Sequence, residues 1–519
     1  MFQRTENTQN LLENFYLPFG GRLNPNNRWV QLAKLVPWDK AEEKYIQTLG
    51  SPAVGQKAYS VRIALGSLLI KERLGLSDRE TTLQIMENPY LQYFLGYEGF
   101  VDKEPFHHSL LTHFRARLGA DILAEVNEWI AQEGLKAEQE AAAKAEESTA
   151  EDHDDDDPEG GQLVMEVGDS FTVPVVEEES VKPKRKTKAS VHSTLQNPTG
   201  TRGTLMLDAT CTPADIKYPT DLHLLNHARE ILESIIDTLH RSLVGVLEKP
   251  RTYRNQARRA YLSVSKQRQP KGKTIRNALK KQLGYVGRDL RTIEELVKHT
   301  PLSVLPKAAY HRLFVIQELY RQQREMIEKG VHRVEHRIVS IDQPHVRPIV
   351  RGKAGAQVEF GAKVAASVVG GYAWIETMDW EPFNESLTLK DSVEAYKERF
   401  GVYPAVVLAD KIYRNRENLK YCKGLGIRLS GPALGRPTAE SQESDRKQEQ
   451  KDAAERNAIE GKFGEGKRRF GLGLIRAKGA ASSLTVIALQ FIVMNLERRL
   501  RALFYSFFRF LMLRSVLAR

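Results

Sequence analysis

Three carboxylates, far apart along the chain, carry the chemistry this sequence suggests. Asp208 ends an apolar segment, TLMLD, and Asp410 ends another, PAVVLAD. Glu460 lies in RNAIEGKFGEGKRRFGLGLIRAKG (456–479), a stretch crowded with Arg, Lys and Gly. An acid directly after a buried strand needs a partner, a metal or water. Gathered carboxylates repel one another, and hard divalent cations, which prefer oxygen ligands, make such a gathering favourable. Two such ions a few ångström apart activate a water and stabilise the leaving oxygen of a phosphodiester. The trio beside a basic surface therefore reads as a phosphoryl-transfer centre, with two Mg2+ ions as expected cofactors and Mn2+ as a substitute. Each acid also has a plainer reading. Asp208 can cap a turn, Asp410 can face water, and Glu460 can pair with Arg456 one helical turn earlier. Only the trio in this order is specific.

The elements around these acids must bring them together. TLMLD reads as a strand. Thr220 or Asp221 caps a helix in which Leu224, Leu225, Ala228, Ile231, Leu232, Ile235, Ile236, Leu239 and Leu243 recur at helical spacing. The chain stays helical and basic from Arg251 to Gln323. From Val334 the period shortens to that of strands, in VEHRIVSI, QVEFGAKVAASVV and YAWIETM, and Gly370-Gly371 between the last two signals a hairpin. SVEAYKERFG is a short helix ended by Gly401, GIRLS is a further strand, and a polar loop runs into the helix that carries Glu460. Asp208 and Asp410 stand about two hundred residues apart, so the basic helices at 221–330 are an insertion after the first strand. The fifty residues from Asp410 to Glu460 leave no room for a second one. The expected class is α/β, a mixed sheet flanked by helices.

Upstream, residues 1–56 show no sustained period, whereas 59–135 is helical. Ser77 is an N-cap with Glu80 at the third helical position, and Pro89 is expected to stop the helix that follows. The first 135 residues are assigned to a separate N-terminal all-helical, DNA-binding domain. Residues 136–200 are read as a disordered linker, because EDHDDDDPEGG and its neighbours offer charge and little to bury. His153 in the Asp run has no fold to fix it as a metal ligand. The catalytic region is 201–500, and 501–519 is a helical tail.

The 519 residues carry a net charge of +11. Glu151 to Glu179 holds twelve Asp or Glu and no Lys or Arg, so the rest of the chain carries +23. A basic body with one acidic tract points to a polyanionic partner, most simply nucleic acid. Two cysteines, Cys211 and Cys422, make no disulfide framework, which fits a reducing cytoplasm. The N-terminus lacks the apolar stretch of a signal peptide. The apolar run Leu484 to Leu496 is read as a buried helix, too short for a bilayer.

LMLDAT…YPTDLHLLNHARE, VVLADKIYRNRENL and RNAIEGKFGEGKRRFGLGLIRAKG together resemble the catalytic segments of bacterial insertion-sequence transposases of the DDE type, over residues 200 to 495. The helical region 57–135 is similar to the amino-terminal domain of the same group. The resemblance implies an RNase H-like core, with Asp208, Asp410 and Glu460 as the metal-binding triad. It implies cleavage at the ends of the element and strand transfer into target DNA. Around the Glu, the family signature is a Tyr, two residues, an Arg, three residues, the Glu, six residues and a Lys. Arg456, Glu460 and Lys467 fit it, and Ala453 stands at the Tyr position. The family's Asp-x-Gly-Tyr has Ile412 for Gly and keeps Tyr413, so the turn after Asp410 is expected to differ. Arg456 and Lys467, with Lys462, Arg468 and Arg469, are the expected DNA contacts, and 221–330 is an auxiliary one. Implied partners are terminal inverted repeats, target DNA and a second copy of the chain, at the nucleoid.

Other chemistries find little support. No GxxxxGK[ST] loop appears, which argues against ATP use. Tyr413 as a recombinase nucleophile lacks the Arg and His such chemistry gathers. Trp374 and Trp380, like the cysteines, read as packing residues. An RNase H-like nuclease without joining, or an inactive DNA-binding derivative of a mobile element, are the alternatives.

Overall fold

The computed structural model describes residues 15–17, 20–49, 58–150, 200–353, 356–431 and 441–517. Its centre is a mixed six-stranded sheet: β1 (Thr204–Pro213), β2 (Arg347–Lys353), β3 (Ala356–Val369), β4 (Tyr372–Asp379), β5 (Val406–Leu408) and β6 (Arg428–Leu429). β3 pairs antiparallel with β1 along one edge, and with β2 and then β4 along the other. β5 lies parallel to the far side of β1, and β6 lies parallel to β5. Gly370 and Gly371 close the β3–β4 hairpin at φ 54° and 81°, a left-handed pair that glycine adopts without a Cβ penalty.

The edge of β4 is not left open. Asn127 and Asn495 both donate to the Ala373 carbonyl, at 3.0 and 2.8 Å, and Asn495 accepts from the Ala373 amide at 2.9 Å. These two asparagines lie on α6 (Leu110–Ala150) and α14 (Ala480–Leu517), which cover the strand. Buried backbone groups left unpaired would be costly, so this junction fixes both helices to the sheet.

Upstream of α6 come α1 (Arg28–Leu35), α2 (Trp38–Gln47), α3 (Val61–Leu74), α4 (Asp78–Glu87) and α5 (Pro89–Phe94). The first two lie where the sequence shows no sustained period, because helices of eight and ten residues bury one side around Trp29, Trp38 and Tyr45 over only about two or three turns. Ser77 accepts from the Glu80 amide as expected. Pro89 opens α5 at its first position behind the Asn88 cap, rather than merely ending a longer helix. The N-terminal helices do not form a core of their own. One continuous apolar cluster joins Trp29, Leu65 and Phe114 to Ala366 and Val368 of the sheet and to Phe491 and Ile492 of α14. By length and composition Ala480–Phe504 is apolar enough to cross a membrane, yet most of it is buried here as the shared core helix. Residues 136–150, assigned to the linker, continue α6, and Glu138 receives hydrogen bonds from Tyr372 and Arg498. The acidic tract and His153 lie outside the described residues.

Between β1 and β2 stand α7 (Asp221–His240), α8 (Arg254–Ser265), α9 (Gly272–Val297) and α10 (Lys307–Lys329), with a core of their own around Leu232, Ile236, Val286 and Ile316. VEHRIVSI is not a strand. Its alternation arises because Ile338 and Ile341 face this helical core while Val339 faces the main one. α11 (Leu389–Phe400) and α12 (Arg416–Gly424) flank one face of the sheet, and α13 (Ser441–Arg469) crosses β1 and β5.

Phe491 is fully buried where the N-terminal helices meet the sheet. Phe491→Ala should cost about 3–5 kcal/mol. Chemical denaturation should show the helices and the sheet losing stability together. An N-terminal helical signal with an unmoved midpoint would contradict the shared core.

Candidate active site

The register of two parallel strands places the first two acids. β1 and β5 pair Thr204 with Val406, Leu205 with Val407 and Met206 with Leu408. Asp208 and Asp410 each stand two residues beyond the last pair. They therefore share one face at the same end of adjacent strands, which run about 4.8 Å apart. Leu205, Leu207 and Val407 point to the opposite face, into the core beneath α11 and α12. Asp208 accepts from the Ala209 amide at 2.8 Å, and Asp410 from the Lys411 amide at 2.7 Å. The Ser430 hydroxyl ties both backbone groups of Ala409 to the end of β6. Ile412 lies in a single 3-10 turn (Lys411–Tyr413) and is not among the positive-φ residues. The turn after Asp410 therefore needs no glycine.

α13 brings the third acid over this face. Its buried Asp452 takes a bidentate contact from Arg428 of β6, at 2.5 and 2.9 Å, which anchors the helix two turns before Glu460. Ile459 and Phe463 bury its inner side. The Arg456 guanidinium lies 3.9 Å from Asp410 and 3.5 Å from Glu460, bridging the two acids. Asp208 is within electrostatic reach of both Arg456 and Glu460. The three acids thus gather from three distant segments. All donors are oxygens, which suits a hard divalent cation. Among the described residues, however, no three or more His, Cys, Asp or Glu lie close enough to form a metal cage as they stand.

A fourth carboxylate was not legible in the sequence. Glu385 sits in a 3-10 turn (Glu385–Thr388) and raises the proton affinity of both Asp208 and Tyr413. Lys363 of β3 holds it at 2.9 Å. Asn418 donates to the Ser386 and Tyr413 carbonyls, at 2.8 and 2.9 Å, and so joins the two turns. Only the Asn384 cap hinted at this turn. Tyr413 is buried beneath the acids, and burial first, then Glu385, drives its hydroxyl away from ionisation. It is unsuited to be a nucleophile. Trp374, Trp380, Cys211 and Cys422 are all buried, as packing residues should be.

The expected DNA contacts separate. Arg456 is at the acids. Lys467 lies about two turns after Glu460 on the same helix. Lys462 points elsewhere: its ammonium donates to the Met494 carbonyl of α14 at 3.4 Å, and burial pushes it down to about 8. Arg469 pairs with Glu465 at 3.4 Å and stacks on Phe470, while Arg468 is exposed near the helix end. After α13 the chain returns to β1, with Ile475 bridging to Ala214.

Burial, opposed by the Ala209 amide and reinforced by Glu385, pushes the Asp208 carboxyl up to about 6. The folded state thus holds this proton more tightly than the unfolded chain. The favourable contribution is complete below the unfolded value near 4 and is lost as pH rises through about 6. In a chelator, Asp208→Asn should therefore stabilise the protein at pH 8, by about 3 kcal/mol at most. The gain should fade towards pH 4. Equal stability of the variant and the wild type at pH 8 would contradict the half-buried carboxylate's raised proton affinity.

Comparison with known proteins fits this geometry. Residues 407–497 match a family described as Transposase DDE domain, and residues 18–117 match one described as Transposase domain. A Rhizobium meliloti protein described as uncharacterized protein ORF8 in nfe locus is 35% identical over 120 residues, covering 23% of this chain and 53% of that protein. The chain thus spans about half the length of that curated relative. No solved structure matches it. Asp410 and Glu460 lie inside the segment that matches the transposase DDE domain, and α1 to α5 lie inside the segment that matches the other transposase domain.

Proposed function

We propose that this transposase hydrolyses phosphodiester bonds at the ends of a mobile DNA element and joins the freed 3′ ends to target DNA, with Asp208, Asp410 and Glu460 as its catalytic acids. The observation that carries the reading is the Arg456 guanidinium seated between Asp410 and Glu460, with Asp208 alongside on the neighbouring strand. Carboxylates gathered this way need a cation, and the arrangement keeps one between them. The order of antiparallel β4, β3 and β1 followed by parallel β5 and β6 supports an RNase H-like reading of the core.

Asp208, Asp410 and Glu460 are the residues that would hold Mg2+, which when bound would polarise the scissile phosphate and activate water. The remaining work belongs to the chain. The strand register fixes two acids side by side, and the Arg428–Asp452 contact fixes the helix that supplies the third. Arg456 then has two roles, as counter-ion to the acids and as a phosphate contact once DNA enters. Lys467 gives a second phosphate contact further along the helix. Water displaces the 3′ oxygen at the element end in line. That hydroxyl next attacks a target phosphodiester, and no covalent enzyme intermediate is formed. Bringing two ends together calls for two copies of the chain.

Asp410→Asn, assayed on a supercoiled donor carrying the element's inverted repeats, should bind DNA like the wild type. Its Mg2+-dependent excision should fall to background. Normal excision by this variant would sink the assignment. Cleavage by the wild type with no joined products would reduce the activity to that of a nuclease.

A further inference from the structure

The cations of the helical insertion are of two kinds. On α10, Arg321 pairs with Glu318 and Glu325, Arg324 with Glu328, and Lys329 with Glu325. That surface neutralises itself, as a solvated helix face commonly does. α8 and α9 are different. Residues 249–293 hold fourteen Lys or Arg and a single acid, Asp289, which is buried. Among the described residues, Arg258, Arg259, Lys273, Arg276, Lys280, Lys281 and Arg291 are exposed and in no ion pair.

Their spacing makes a track. Lys273, Arg276, Lys280, Arg288 and Arg291 follow one side of α9, over about 27 Å of helix. That length matches about eight base pairs of duplex. Gly284 stands in the middle of the track, exposed, and a Cβ there would meet nothing within 4 Å. Packing therefore does not require glycine, although glycine in a helix interior costs about 1 kcal/mol. A bare backbone at that point lets a bulky partner approach closely. Tyr253, the residue that precedes α8, stands at φ 53°, and its ring lies 4.6 Å from the Arg288 guanidinium, which joins the start of α8 to the same face.

We infer that this face of α8 and α9 is a docking surface for the sugar-phosphate backbone of duplex DNA, separate from the catalytic acids and indifferent to base sequence. It rests on the proposed function only in taking DNA as the substrate. The test uses the full chain in EDTA, so that binding is read without cleavage. The probe is a random-sequence duplex titrated over a range of salt. The variant Lys273→Gln/Arg276→Gln/Lys280→Gln/Arg291→Gln is compared with Arg321→Gln/Arg324→Gln on α10. The first should lower the log–log salt slope by about 3–4, close to one per lost contact, and weaken binding at least about tenfold. The second should leave both unchanged. An unchanged slope in the first variant with the melting temperature preserved overturns the inference. So does an effect confined to single-stranded RNA. Loss of duplex binding in the first variant, alongside normal excision by Asp410→Asn, would refute the catalytic assignment and leave this surface standing.

Discussion

The parallel pairing of β1 with β5 is the constraint from which the rest of the site follows. Side chains alternate along a strand, so a shift of one residue would send one aspartate into the core beneath α11 and α12. The register observed, Met206 opposite Leu408, instead leaves both acids on the face crossed by α13. Like charges on adjacent strands repel. The fold accepts that cost at one point and offsets it with Arg456, delivered from the helix above. Asp208 holds its proton more tightly chiefly because it is buried, with Glu385 and Glu460 adding to the effect.

Holding this register requires a rigid sheet, and a sheet of six strands has edges to protect. The β4 edge is closed by the Asn127–Asn495 pair, each bonded to the other and to Ala373. These two residues come from helices at opposite ends of the chain. Their contact merges the N-terminal helices and the sheet into one apolar cluster. The sheet that carries the acids and the helical region are thus linked through α6 and α14. On the other side of the sheet, the two-residue β6 has little hydrogen bonding of its own. Its Arg428 compensates by clamping Asp452 of α13.

Much of the region from 201 to 500 was legible from local patterns. The Gly370-Gly371 hairpin, the helix ended by Gly401 and the amphipathic helix from Asp221 are all determined by residues close in sequence, through positive φ, capping and periodicity. The three candidate acids stood out by their order and flanking residues, and the fold brings the segments that carry them to one face of the sheet. What misled were segments whose pattern is set by two neighbours at once. VEHRIVSI alternates because it lies between two cores, not because it is pleated. The short helices around Trp29 and Trp38 do bury one side, at Trp38, Ala41, Glu42 and Tyr45 in the second, but each spans too few turns for the period to be sustained. Lys462 looked like a phosphate contact in a basic run, yet it lies on the α14 side of its helix.

The sequence by itself determined which residues carry charge and most of the segments that form helices, hairpins and strands, because those depend on side-chain chemistry and on contacts a few residues away. It also determined that residues 249–293, which span α8 and most of α9, hold fourteen Lys or Arg against one acid. Only the tertiary structure decided which of those charges meet. Asp410 and Glu460 sharing Arg456, Glu385 entering beside Asp208, and α14 joining the two ends of the chain all depend on contacts between residues distant in sequence. Such contacts are set by strand register and by burial of a common core, and neither leaves a mark within a short window of sequence.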